Sequence, residues 1–172
     1  MICVIDTSAL ITFFELGKVE LLNQLFNEVY IPVTVEEQFL KENTDEKLSF
    51  LLQFQDGNGW IKKCQTYRND IISILNTEKK IDSGEREAIA QFKKLQEDLE
   101  IEEGRIICVI DERDARNIAQ AMDVEVSGTL LLLARLHMLG FIDYYETVQP
   151  IAKRRRFSKR LIDQAFVKAS EL

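Results

Sequence analysis

The tetrapeptide Cys3-Val4-Ile5-Asp6 recurs as Cys108-Val109-Ile110-Asp111. Each copy is a short apolar run that stops at an aspartate and gives way to a helical pattern, which predicts a buried strand feeding a helix. Working outward, Val29 to Ile31 closed by Pro32, Trp60-Ile61 after the Asp56-Gly57-Asn58-Gly59 turn signal, and Val124 to Val126 read as further strands. Helical patterns fill the intervals. One starts near Ser8, one carries Leu48, Leu51, Leu52 and Phe54, and one opens at Asp82-Ser83-Gly84-Glu85 with Ala88, Ile89, Phe92, Leu95 and Leu99 at three-to-four spacing. Another carries Ala115, Ile118, Ala119 and Met122, the next runs from Gly128 to Leu139, and a polar, basic helix ends the chain. Strands alternating with helices predict an α/β fold with a mostly parallel sheet. Both aspartates would then lie at the carboxyl edge of the sheet, where open α/β sheets bind ligands.

The 172 residues, with 46% hydrophobic and 30% charged, suit one domain spanning 1–172, its basic helical segment starting near 150. There are 22 Lys and Arg against 29 Asp and Glu, a formal charge of −7, and one His. A single imidazole excludes a His-rich zinc or iron site, so polar catalysis must lean on carboxylates. Cys3, Cys64 and Cys108 form no CxxC pair, and a disulfide framework is not expected. The first apolar run reaches Asp6 too soon for a signal peptide, and Leu130 to Leu133 falls far short of the roughly 20 residues that span a bilayer. The expectation is a cytoplasmic protein without a membrane partner. No GxGxxG or GxxxxGK loop supports nucleotide binding. A phosphoacceptor receiver would need paired acids after the first strand, where Asp6 is followed by Thr7 and Ser8.

Glu85 precedes Ala88, Ile89 and Phe92 by three, four and seven residues, so helical spacing puts it on the stripe facing the sheet. Asp114, one turn beyond Asp111, either joins the acids or decorates a first helical turn. Helix capping explains any one of these acids alone. Gathered together they repel, at roughly 4 kcal/mol for two unit charges about 4 Å apart and an effective dielectric near 20. Such a cluster shares a proton or binds a cation, and an all-oxygen site suits Mg²⁺ or Mn²⁺. Metal-dependent cleavage of a phosphodiester is the chemistry that follows.

Asp6-Thr7-Ser8 after the first strand, Ile31-Pro32 leading into an acidic helix, Asp82-x-Gly84-Glu85 with Glu87-Ala88-Ile89, Ile110-Asp111-Glu112 with Ala115-Arg116, and Gly128-Thr129 opening a Leu-rich helix together resemble a PIN domain. More narrowly, they resemble the PIN-like nucleases grouped with VapC-type toxins. The resemblance implies a three-layer α/β/α sandwich with a central parallel sheet, bound Mg²⁺ or Mn²⁺, and endoribonuclease activity held in check by an antitoxin protein. Asp6, Glu85 and Asp111 match the family's metal-binding acids, and Asp114 matches a further acid that varies between members. One position departs from the pattern: Gln38 stands where the family usually has glutamate. Glu36 shares a helical face with Phe39 and Leu40 and would turn inward as a substitute metal ligand, while Glu37 points more toward solvent; Gln38 could instead offer a neutral carbonyl oxygen. The alternative is a catalytically weakened module that binds RNA or protein.

Six basic residues and no acid lie between Lys153 and Arg160, so charge is segregated along the chain. Arg154, Arg155 and Arg156 would hold RNA phosphates while Phe157 stacks on a base; a plain solvated face and an acidic partner's dock are the other readings. Arg113 and Arg116 lie nearer Asp111. Thr129 would bind phosphate or a metal-bound water, or simply cap its helix. His137 reads as a packed residue. Leu48, Leu51, Leu52 and Phe54 exceed one stripe's needs and suggest a surface for a second subunit or an antitoxin.

Overall fold

The computed structural model describes residues 1–42, 44–55, 59–65, 68–98 and 105–171. Its strands are β1 (Ile2–Ile5), β2 (Glu28–Pro32), β3 (Ile61–Cys64), β4 (Ile106–Val109) and β5 (Val126–Ser127). All neighbours pair in parallel, in the order β3-β2-β1-β4-β5.

Side chains alternate across a strand, so each short run serves both faces of the sheet. Cys3 and Ile5 join Val29, Ile31 and Val109 on one face, and Val4 joins Ile106, Cys108 and Ile110 on the other. That two-sided burial is why the strands read as continuous apolar runs. Over the first face lie α1 (Thr7–Glu15), α2 (Val33–Phe39), α3 (Thr44–Gln55), α7 (Thr129–Met138), α8 (Tyr144–Ala152) and α9 (Lys159–Ser170). The second face is covered by α4 (Asn69–Leu75), α5 (Ser83–Asp98) and α6 (Arg113–Ala121). The expected three-layer α/β/α sandwich with its parallel sheet is what the chain forms.

From β1 the chain builds outward through β2 and β3, then crosses back to place β4 and β5 on the other side of β1. The boundary between β1 and β4 is therefore the topological switch point, where crossovers diverge and leave a crevice. Ile5 pairs with Val109, so the repeated tetrapeptides are offset by one residue. The Asp6 N–H donates to the Val109 carbonyl at 3.0 Å, and Asp111 follows β4 beyond that level.

Several boundaries differ from the sequence expectation. β3 begins after Trp60, whose ring sits 5.5 Å from that of Phe54. The short helix α4 carried no clear pattern. The single basic C-terminal helix is two helices, because Arg156 takes a left-handed φ of 55° and Ser158 then caps α9 by accepting the Leu161 N–H. Most of the basic run thus forms the break between helices. On α3, Leu51 is fully buried whereas Leu48 and Leu52 are 39% and 49% exposed. Asp56, Gly57, Asn58 and Leu99 lie outside the described residues. Among the described residues no helix is long and apolar enough to cross a membrane.

Candidate active site

Asp6, Glu85 and Asp111 each occupy the start of a helix. Asp6 caps α1, accepting the Ala9 N–H at 2.7 Å and the Ser8 hydroxyl at 3.1 Å, and is 1% exposed. Asp111 does not cap the helix that follows it; Glu112 does. It reaches instead to the start of α7, accepting the Thr129 N–H and the Thr129 hydroxyl, both at 2.7 Å. Glu85 and Asp82 form a reciprocal capping box: Asp82 accepts the Glu85 N–H at 2.9 Å and Glu85 accepts the Asp82 N–H at 2.8 Å. Each carboxylate thus meets the positive end of a helix, and capping coexists with clustering.

Asp6 feels both of the other acids, Asp111 more than Glu85. Burial first, then repulsion from Asp111 and more weakly from Glu85, pushes the Asp6 carboxyl up to about 8, against the opposing hydrogen bonds from Ala9 and Ser8. Burial also raises Asp111, opposed by the two Thr129 bonds and by the charges of Arg116 and Arg155. Glu85 is pushed up to about 7, chiefly by burial with Asp82 and Glu112 adding, while the Asp82 N–H and Arg86 pull it down.

A neutral cradle binds three helices beside these acids. The Thr7 hydroxyl donates to Gln38 Oε1, and the Gln38 amide donates to the Ser83 hydroxyl at 2.9 Å, tying α1 to α2 and α5. Gly84 permits that approach: a Cβ there would stand 2.6 Å from Gln38 Oε1 and 2.8 Å from Thr7 Oγ1. Gln38 therefore occupies the place beside Glu85 that the resemblance assigns to a glutamate. Glu36 does turn inward, as periodicity implied, and Glu37 is exposed. The inward Glu36 carboxylate pairs with Lys63 of β3 at 2.5 Å.

The remaining candidates divide. Asp114 is half-buried on α6 and 3.6 Å from Lys80, on the side of a basic group and outside the hydrogen-bonded core of the site. Arg113 is exposed. Arg116 curls beneath the site, donating to the Asp111 carbonyl and to the Ile110 carbonyl at 3.1 Å, so its cation is anchored to backbone. Thr129 is fully buried and its hydroxyl donates to Asp111, which orients that carboxylate, while Gly128 and not Thr129 stands at the cap of α7. Arg154 and Arg155 both pair with Glu15 at the end of α1, at 2.9 and 2.8 Å, and Arg156 is exposed. His137 is packed on Phe166, with its Nδ1 3.0 Å from the Ile142 carbonyl. Sequence reasoning missed Glu15, because a long-range anchor with |i−j| of 140 leaves no local pattern.

The donor chemistry of Asp6, Glu85 and Asp111 suits a hard cation, being all carboxylate oxygen. As the side chains stand, no group of three His, Cys, Asp or Glu among the described residues is arranged to hold an ion. Glu85 is folded back on the Asp82 N–H, and both Asp111 oxygens are engaged by Thr129. A search of curated proteins gave no match. Residues 2–171 match a family model described as PIN domain, whose members are generally nucleases, and with the fold and the ordered acids in place the chain belongs to the PIN-domain family.

Proposed function

We propose that the protein is a Mg²⁺- or Mn²⁺-dependent ribonuclease that hydrolyses RNA phosphodiesters. The observation that carries this reading is the pairing of a buried Asp6 with a half-buried Asp111 at the β1/β4 switch point, where Asp111 helps to push Asp6 up to about 8. Ionised acids so placed destabilise the fold unless a cation joins them. Asp6, Glu85 and Asp111 would hold the ion, with Glu85 exchanging its Asp82 bond for it. When bound, such an ion supplies a water of lowered pKa and offsets charge on the phosphodiester.

The chain's own residues do the rest. Ser8 and Thr129 orient Asp6 and Asp111. Asp114, half-buried on α6 one turn beyond Asp111, is the candidate acceptor for the proton released from water. Arg155, paired with Glu15 and with its charge felt at Asp111, would take a substrate phosphate. Arg154, Arg156 and Arg113 extend the cationic surface for the strand. Leu48 and Leu52 supply apolar surface for an antitoxin-type regulator or a second copy of the chain, as expected of a VapC-like toxin.

RNA cleavage with and without Mn²⁺, compared between the native chain and Asp6→Asn, tests the proposal. The expected result is Mn²⁺-dependent cleavage that falls at least about 100-fold in the variant; equal rates in the two proteins would sink it. A second reading is favoured by Gln38, whose amide is engaged at both ends by Thr7 and Ser83 where a further carboxylate would add charge. On that reading the domain binds RNA or a protein without cleaving, and binding without Mn²⁺-dependent products would select it.

A further inference from the structure

Against Asp111 lies a pocket of about 240 Å³ that the acid cluster leaves unexplained. Leu130 of α7 and Ala165 of α9 give it apolar walls, and Phe157, in the break between α8 and α9, contributes an aromatic ring. Besides Asp111, its polar side chains are Arg116, Ser127 and the exposed Gln120, Gln164 and Lys168. We infer that this pocket receives one unpaired nucleobase of the RNA strand, an inference that rests on the ribonuclease reading for what happens at Asp111.

Size, charge and chemistry narrow the occupant. The volume is below the roughly 300–1,000 Å³ typical of drug-sized ligand sites, which suits a single base better than a whole nucleoside triphosphate. A phosphate pressed against the Asp111 carboxylate would be repelled, whereas a neutral base brings N–H donors and two apolar faces. Apolar walls, an aromatic ring and a small set of convergent polar groups are what single-strand readers use to stack and orient an unstacked base. The Gln164 amide has both donors and an acceptor for a base edge. Basic groups outnumber acids around the pocket: Arg116 and Lys168 stand against Asp111 in its lining, and six basic residues from Lys153 to Arg160, two of them paired with Glu15, flank Phe157. That pattern complements a polyanion. Because Asp111 belongs to both pocket and acid cluster, a seated base would bring its own backbone to the acids, making the pocket a determinant of where the strand is cut.

The test is equilibrium binding of the full chain, without added divalent ion, to single-stranded RNA octamers of each of the four bases and to an octamer of abasic ribose-phosphate spacers with the same charge. At least one base-bearing octamer is expected to bind roughly 5- to 100-fold tighter than the spacer strand. Ala165→Phe, which fills the pocket, should abolish that preference. Gln164→Glu, at an exposed position that does not challenge folding, should reduce it as well. Equal affinity of all strands for the native chain, or a preference unchanged in both variants, would overturn the inference. Base preference without Mn²⁺-dependent cleavage would remove the ribonuclease reading and keep the pocket; cleavage without base preference would do the reverse.

Discussion

Asp6 caps a helix, which favours its charge, and lies buried beside Asp111, which opposes it; burial and repulsion win. Its folded-state carboxyl is raised from 3.8 to about 8, so the folded protein holds a proton that the unfolded chain gives up near pH 4. Without divalent ions, stability should therefore decline as pH rises from about 4 toward 8. Asp6→Asn keeps an acceptor for the Ala9 N–H and removes the titration. It should be more stable than the native chain at pH 8, by on the order of a few kcal/mol, and melt higher there, with the gap closing toward pH 4. A gap independent of pH in thermal melts would contradict the assigned cause. At this scale the sequence was partly legible. The repeated terminal Asp marked two of the acids, and spacing put Glu85 and Glu36 inward. Spacing could not show that Glu36 would find Lys63, because a cross-element ion pair depends on which strand lies beneath the helix.

Three helix starts meet at the site, and the contacts between them set its shape. Gly84 matters because α5 begins against the Thr7-Gln38 pair. Gly84→Ala should displace that pair and with it Glu85. The intruding atoms belong to side chains that can yield, so the cost in stability should be about 1 kcal/mol, with a loss of cleavage of roughly tenfold or more. Near-native rates in the alanine variant would remove the cradle's importance. At the far end of α1, Glu15 binds Arg154 and Arg155. Exposed pairs of this kind contribute about 0–1 kcal/mol, so Glu15→Gln should melt close to the native temperature while raising the KM for RNA several-fold. An unchanged KM would mean that the arginines need no anchor. Elements with a strong local code were readable: two apolar strands ending in Asp, and the Asp82-x-x-Glu85 capping box before an amphipathic stripe. The seven-residue α4 lacked such a code, and the α8/α9 break turns on a positive φ at Arg156 that no glycine announced.

Across the whole molecule, strand order explains why residues 105 positions apart in the chain act together. Asp6 and Asp111 end neighbouring strands at the place where the sheet changes direction of growth. Alternation of strands and helices was enough to foresee a parallel α/β sheet with acids on its carboxyl edge; which strand lay next to β1 was not readable, since pairing order leaves no mark in hydropathy. The charge of −7 is likewise informative only once resolved in space, into buried acids and a basic break beside them. If that break carries the strand, log K for single-stranded RNA should fall with log salt by about 0.7 per phosphate neutralised. A flat salt response would exclude it. The central claim is that the switch-point acids form a divalent-cation site, and diffraction from a crystal soaked in Mn²⁺ tests it most directly. An anomalous peak bounded by Asp6, Glu85 and Asp111, with Glu85 released from the Asp82 N–H, is the expected result; a fully soaked crystal with no peak among these three residues would contradict it.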